Sequence, residues 1–476
     1  MTRKRKKRVR QRNQQQHGRR HCIALVSDFF FPRLGGVENH IGSLALELQA
    51  LGHKVIVITH AYKGEKYKGV QYWQDQIKVY YCPIIPMTDE DALPTFTATF
   101  PLLRWIFIRE EVEIVHAHQA TSTLANESVV YAGILGLGAV YTDHSLFGLH
   151  DAAGVILNRV LSTTLSTVDA AICVSRACRD NFILRTRLDP KRVFIIPNAV
   201  DASKFRPVFK HSAEQHHAKT SNRLTVVVVS RLAYRKGVDL LVGIIPIICR
   251  LHDRVDFVIA GDGPKRLALQ EMVEAERLQD RVQFLGAVPH AQVRSVLIQG
   301  DIFLNCSLTE SFCIAILEAS CAGLAVVSTN VGGIPEVLDE GVTLADPNVP
   351  DLAQALDHAI NEFLRTGPVD PWPRHERLAQ RYAWKKVAED TVKVYDYVKR
   401  QPRKSFLERL DCYLNVGGGG LTGLVVAWLA VTVELFTHVV AWLQPCENVD
   451  VLPYTKIHQN NCSAASSTKN VALLEN

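Results

Sequence analysis

From residue 22 onward, short unbroken runs of Val and Ile alternate with amphipathic stretches, and no other feature limits the fold so tightly. CIALVSDFF, KVIVITH, EIVHAH, AVYTDHS, AAICVS and VFIIPNAV read as strands. VENHIGSLALELQALGH, between the first two, reads as a helix with Ile41, Leu44, Leu48 and Leu51 apolar. Strands apolar on both faces must be covered on both, which predicts parallel sheets wrapped by helices. A polar segment at residues 209–222 breaks the pattern, which restarts with LTVVVVS, DFVIAGDG, RVQFLGAV, DIFLNCS and AVVSTN. The expected fold class is α/β: two Rossmann-like domains with parallel sheets facing across a cleft. Ligands of such sheets lie beyond the carboxyl ends of the strands.

The boundaries expected are a basic disordered tail at 1–20, a first domain at 21–205 and a second at 206–372. A helical return with a basic juxtamembrane segment follows at 373–415, then a transmembrane helix at 421–443 and a short luminal tail at 444–476. The net charge of +6 misleads, because residues 1–20 hold ten Lys/Arg and no acid; 6 − 10 leaves the body at about −4. No nucleic-acid partner follows from that balance. Eleven cysteines are scattered without CxxC pairs or metal spacing, which reads as reduced thiols in a cytosol-facing body.

LTGLVVAWLAVTVELFTHVVAWL, residues 421–443, is long enough to span a bilayer. Its twelve Leu, Val and Phe at roughly −0.4 kcal/mol each give about −5 kcal/mol, against about +3 kcal/mol for one central charge. Glu434 and His438, four residues apart, share a face and are expected to meet a partner helix. Lys399, Arg400, Arg403, Lys404 and Arg409 precede the span while Lys456 alone follows it, which places the body in the cytosol. TFTATFPLLRWIFIR, residues 95–109, fits either an interfacial segment or a core helix.

Glu310 and Glu318 lie eight apart in TESFCIAILE, a spacing expected to put both on one broad side of a helix, Glu310 near its start. Gly35 and Gly36 follow a strand and precede a helix, where backbone N–H groups attract an anion. Arg231 and Lys236 sit on the loop after a buried strand, placed to grip phosphates or simply to be solvated. Asp89 and Asp91 are a metal candidate without further ligands, and a solvated acid cluster explains them better. His118 and His144 end predicted strands facing the cleft, as proton-transfer groups or as satisfied core histidines.

Cations, glycine turns and two carboxylates together fit a diphosphate-activated sugar, whose leaving group needs positive charge. SDFFFPRLGGVENHI, TDHSLFG, CVSRACRDN, IIPNAVD, VVVVSRLAYRKGVDLL, GDGPKR, LTESFCIAILEAS and VVSTNVGGIPEVL carry a resemblance over roughly residues 22–400. The chain resembles the retaining GT-B glycosyltransferases of the family 4 type, whose hallmark is E-x7-E. Within them it is similar to the catalytic subunits of phosphatidylinositol N-acetylglucosaminyltransferase. That resemblance implies transfer of N-acetylglucosamine from UDP-N-acetylglucosamine to phosphatidylinositol, the first step of glycosylphosphatidylinositol anchor synthesis. It implies a single-pass protein of the endoplasmic reticulum membrane, acting with other subunits and without a metal or other cofactor. Arg231 and Lys236 would hold the diphosphate, Glu318 the ribose and Glu310 the transferred sugar. Backbone amides at Phe312, Cys313 and Ile314 would add phosphate contacts, Gly35 and Gly36 would close from the first domain, and His144 would lie at the reacting centre. Two other readings stay open: another lipid-directed GT-B enzyme, such as a GDP-mannose-dependent mannosyltransferase, and a non-catalytic scaffold.

Overall fold

The computed structural model describes residues 20–33, 35–62, 67–84, 86–88, 91–92, 95, 97–148, 152–208, 223–338, 340–416 and 420–452. Residues 1–19 of the basic tail, the 209–222 segment, Asp89 and the last 24 residues lie outside that set. The first domain contains β1 (Cys22–Val26), β2 (Lys54–His60), β3 (Gly69–Trp73), β4 (Ile77–Cys82), β5 (Pro86–Thr88), β6 (Asp91–Ala92), β7 (Ile114–His118), β8 (Gly138–Asp143), β9 (Ala170–Cys173) and β10 (Val193–Ile195). The second contains β11 (Leu224–Val229), β12 (Val255–Ala260), β13 (Val282–Gly286), β14 (Ile302–Asn305), β15 (Ala325–Thr329) and β16 (Val342–Ala345). Asp91 therefore sits in a short β5–β6 ribbon.

Among the described residues the first sheet runs β10-β9-β8-β7-β1-β2-β4-β3 and the second β13-β12-β11-β14-β15-β16. All neighbours pair in parallel except β3 with β4, an antiparallel edge hairpin that the apolar-run pattern misses because Gly69–Trp73 is largely exposed. Strand order reverses at β1 in one sheet and at β11 in the other. A crevice opens at such a reversal. The loops leaving β1 and β11 carry Gly35–Gly36 and Arg231–Lys236.

Ile23, Leu25, Val226 and Val227 are fully buried, as strands covered on both faces must be. One apolar cluster is continuous from Val115 and Phe182 through Phe312 and Ile334 to Leu317 and Tyr382, so the two domains share packing. The chain then returns. His375 Nδ1 meets the Cys321 carbonyl at 2.9 Å, and the helix Trp384–Arg400 packs on the first domain, its Tyr395 hydroxyl 2.8 Å from His116 Nδ1. Four of the five juxtamembrane cations are paired: Lys399 with Glu113, Arg403 and Lys404 with Asp169, and Arg409 with Glu434.

The helix Gly420–Leu443, at 24 residues, is long and apolar enough to cross a membrane. It packs on the helix Phe406–Leu414 through Gly423, where a Cβ would lie 1.9 Å from the Leu414 carbonyl oxygen. Trp428, Leu435, Val439 and Trp442 point outward and are exposed. Glu434 does not wait for a partner helix: Arg409 donates to both its oxygens, at 2.9 and 2.8 Å, while His438 lies on the exposed side. Residues 95–109 hold the core helix Phe100–Arg109, whose Phe100, Leu103, Ile106 and Phe107 are buried.

Candidate active site at the domain cleft

β11 delivers a loop that ends in a tight turn, Tyr234–Lys236. Gly237 follows with φ 67°, and a Cβ there would lie 1.7 Å from the Cys306 carbonyl oxygen. Glycine thus lets the turn rest on the end of β14. The Leu308 N–H donates to the Arg235 carbonyl at 2.9 Å and fixes the two segments together. In consequence the Lys236 ammonium reaches the Glu310 carboxylate, whose Oε1 also accepts from Ser307 Oγ at 2.9 Å. Burial opposes the ammonium, but the Glu310 charge and hydrogen bond outweigh it and hold its pKa above the ordinary lysine value. Arg231, on the same loop, is exposed and has no side-chain partner among the described residues.

Glu310 and Glu318 do not share a helix. The helix begins at Ile314, after Cys313 with φ 70°, and Glu310 stays in the preceding loop. That left-handed residue turns the chain. Glu310 faces Lys236, whereas Glu318, inside the helix, faces His290 Nε2 at 2.7 Å. Burial pushes the Cys313 thiol up to about 12, so it enters chemistry only through its backbone. Phe312 is buried, and Ile314 opens the helix, whose N-cap Cys313 makes no side-chain capping bond while its carbonyl accepts from the Ile316 N–H at 3.3 Å.

The first domain meets this loop directly. Ser311 Oγ donates to the His144 carbonyl at 2.5 Å, and Ser175 Oγ donates to the Ser311 carbonyl at 2.6 Å. Glu336 accepts from the Arg176 and Ala177 N–H groups at 2.8 and 2.9 Å, capping the first-domain helix Arg176–Thr186 with a carboxylate. The Arg235 guanidinium lies over the Phe147 ring, 5.9 Å from its centroid. Neither the Ser175–Ser311 bridge nor Glu336 was visible in the sequence, because neither residue is unusual until the domains close.

His118 does not face the cleft. It is fully buried, and its Nδ1 lies 3.2 Å from Nε2 of the half-buried His144. His40, from the helix that follows Gly35, completes the group: its ring is 4.6 Å from His144 and its Nδ1 is 2.9 Å from Asn198 Oδ1. One ring nitrogen from each of the three lies within 4.8 Å of the others, the one group among the described residues close enough to share an ion. Their hydrogen bonds already account for the packing. Burial pushes His40 down to about 4 and His118 and His144 well below the ordinary value, so all three are neutral at neutral pH. His144 thus offers a neutral hydrogen-bonding ring rather than a proton reservoir.

Gly35 caps its helix in extended conformation, and a Cβ on it would lie 2.4 Å from Glu38 Oε2. That carboxylate folds back over the turn, and burial raises its pKa. A Cβ at Gly36 would meet nothing within 4 Å. The structure therefore brings Lys236, Glu310, residues 312–314 and His144 together. Arg231 is at the loop's rim, Glu318 is one step behind, and Gly35–Gly36 are joined to the group through His40.

Known proteins are similar to this chain in sequence and in fold. The family model described as PIGA (GPI anchor biosynthesis) matches residues 60–151, and that described as glycosyl transferases group 1 matches residues 210–383. An Arabidopsis thaliana protein named for phosphatidylinositol N-acetylglucosaminyltransferase, of which it is a subunit, is 46% identical over 432 residues, covering 90% of this chain and 94% of that protein. The Homo sapiens protein of the same name is 45% identical over 436 residues, covering 91% and 87%. Among solved structures, sucrose-phosphate synthase from Thermosynechococcus elongatus superposes with a TM-score of 0.62 at 20% identity, over 80% of this chain and 99% of that one. Anabaena Alr3699/HepE in complex with UDP and glucose gives a TM-score of 0.62 at 18% identity, over 79% and 99%. These two show the GT-B fold alone. With kinship of this extent and identity, the chain belongs to the PIGA family of phosphatidylinositol N-acetylglucosaminyltransferase subunits, within the group 1 glycosyl transferases.

Proposed function

We propose that the protein transfers N-acetylglucosamine from UDP-N-acetylglucosamine to phosphatidylinositol, with retention, as the first step of glycosylphosphatidylinositol anchor synthesis. The observation that carries this is the meeting of Lys236 and Glu310 beside the His144 loop, in a chain of this family. Arg231 and Lys236 hold the diphosphate, and the N–H groups at residues 312–314 add to them. Glu318 takes the ribose and Glu310 the sugar, so a bound donor draws the ammonium from Glu310 toward the β-phosphate. Gly35 and Gly36 close over the diphosphate once Glu38 swings aside. The inositol hydroxyl attacks the anomeric carbon from the face the phosphate leaves, and the departing phosphate oxygen takes its proton. His144 orients the reacting groups as a neutral ring. Two side-chain cations meet the charge developing on the leaving group, so the reaction runs without a metal.

The helix Gly420–Leu443 anchors the body in the endoplasmic reticulum membrane, which is where a lipid acceptor lies, and the protein works within a multi-subunit complex, as its relatives are named. We place the body in the cytosol. Arg104 donates to the Gln444 carbonyl at 2.8 Å and the Leu452 N–H donates to the Arg109 carbonyl at 2.9 Å, so the far end of the anchor lies against the first domain. A single pass requires those bonds to open in the bilayer. Of the N-x-S glycosylation sequences NES at Asn126 and NCS at Asn305 and Asn461, only that at Asn461 is then luminal, while Asn126 and Asn305 are buried in the body. Glycan on Asn305 overturns the orientation.

The test is transfer in microsomes containing the chain and its partners, with labelled UDP-N-acetylglucosamine and GDP-mannose offered separately. Label is expected in phosphatidylinositol from the first donor, inhibited by UDP and not by GDP. Transfer from GDP-mannose alone, or none by an intact complex, rejects the assignment.

A further inference from the structure

Glu318 is a carboxylate with one oxygen satisfied and one not. Its Oε1 meets His290 Nε2 at 2.7 Å, and its Oε2 accepts no hydrogen bond among the described residues, although the side chain is only 9% exposed. That free oxygen is not sealed in the core, so a ligand hydroxyl can reach it, and the narrow exposure of the side chain limits how it can be approached. His290 opens the helix His290–Leu297, directly after the loop leaving β13, and its ring lies 5.8 Å from Phe205. Its side chain is 38% exposed, so the pair reaches the surface beyond the carboxyl end of β13, the side of such a sheet on which ligands bind, rather than lying inside the core.

We propose that His290 is a positioning residue of the nucleoside subsite: it pins Oε1 of Glu318 so that Oε2 stays turned toward a vicinal diol, the ribose of the donor. The inference rests on the reading of Glu318 as the ribose ligand and adds a residue which that reading does not contain. An aliphatic carboxylate otherwise rotates about its last torsion, and a ligand that must first fix it binds more weakly. The ring's own setting supports the assignment. The hydrogen bond to Glu318 raises the His290 pKa against the cost of burial. The charges facing the ring from neighbouring elements are Glu318, Lys204 and Asp201, and the last two are paired with each other at 2.9 Å. A protonated ring gives Glu318 a charge-assisted bond, and that assistance is lost as pH rises through the raised pKa.

The test uses the intact microsomal complex and follows KM for UDP-N-acetylglucosamine and kcat separately. In His290→Ala, KM is expected to rise roughly tenfold or more, the scale of one hydrogen bond to a charge, with kcat within about twofold. His290→Gln, whose amide N–H can take the place of Nε2–H, restores KM and removes its rise with pH on the alkaline side. A donor analogue lacking the ribose 2′-hydroxyl binds less well than the donor to wild type, and that gap narrows in His290→Ala. If KM is unchanged in His290→Ala while Glu318→Ala raises it, the proposal falls and the ribose reading stands. If Glu318→Ala leaves KM unchanged, both fall. Equal losses of kcat in the Ala and Gln variants would mean a merely structural role and would also overturn it.

Discussion

The Lys236 ammonium is held against the Glu310 carboxylate, joining the loop after β11 to the loop before the helix Ile314–Cys321. Neither residue reaches the other along the chain; they meet because Gly237 lets one turn lie against the Cys306 carbonyl. Lys236→Ala removes the cation nearest the proposed leaving group. It is expected to lower kcat/KM for transfer by about 10²–10³, the usual scale for one preorganised charge-stabilising group. Glu310→Gln keeps the shape and should also lose most transfer; turnover at the wild-type level takes Glu310 out of the mechanism.

Gly237→Ala adds one methyl group, yet it must push the turn off β14. Both φ 67° and the 1.7 Å approach to Cys306 oppose it. The variant is expected to lose transfer and to unfold at lower temperature, as read by thermal scanning of the complex. An unchanged midpoint with full activity contradicts the close approach.

Cations supplied by Arg231 and Lys236 should make added metal unnecessary. EDTA is expected to leave the initial rate unchanged, and magnesium or manganese to add less than about twofold. A rate abolished by chelation and restored by one metal requires a different account of the leaving group.

Glu110 is buried and accepts from Lys54, Lys78 and, at 2.5 Å, Tyr80. Burial pushes its pKa up, but those partners win and hold it below the ordinary carboxylate value. A depressed folded pKa contributes stability that is fully present above the unfolded value, near 4.5, and is lost as pH falls through the folded one. Glu110→Gln is therefore expected to cost about 3 kcal/mol at neutral pH, with the gap to wild type closing below pH ~4.5. Denaturant titration at several pH values reads this out; a gap independent of pH refutes it.

Arg409 and Glu434 tie the helix Phe406–Leu414 to the apolar helix. Arg409→Leu leaves a carboxylate unpaired on an apolar helix and is expected to cost about 3 kcal/mol and lower the steady-state protein level. The double change Arg409→Leu, Glu434→Leu should recover much of that loss. No recovery in quantitative blots would indicate that Glu434 serves another partner.

Unbroken Val/Ile runs made the α/β class and both sheets legible, because a strand buried on two faces has little choice of composition. The exposed edge strand β3 escaped for the same reason, whereas its buried partner β4, IKVYYC, escaped because Lys78 and two tyrosines interrupt the Val/Ile pattern. Residue types likewise marked Arg231, Lys236, Glu310 and Glu318 as candidates, since cations and acids on loops after buried strands are chemically conspicuous. What the sequence could not decide is who meets whom. Helical periodicity put the two glutamates on one helix, but Cys313 at φ 70° separates them, sending Glu310 to Lys236 and Glu318 to His290. The same holds for His118, buried behind His144, and for Glu434, answered by Arg409 instead of a partner helix. Local composition sets which segments must be covered. Contacts between residues tens to hundreds of positions apart depend on how two domains and a returning helix close, and only the tertiary structure carries that information.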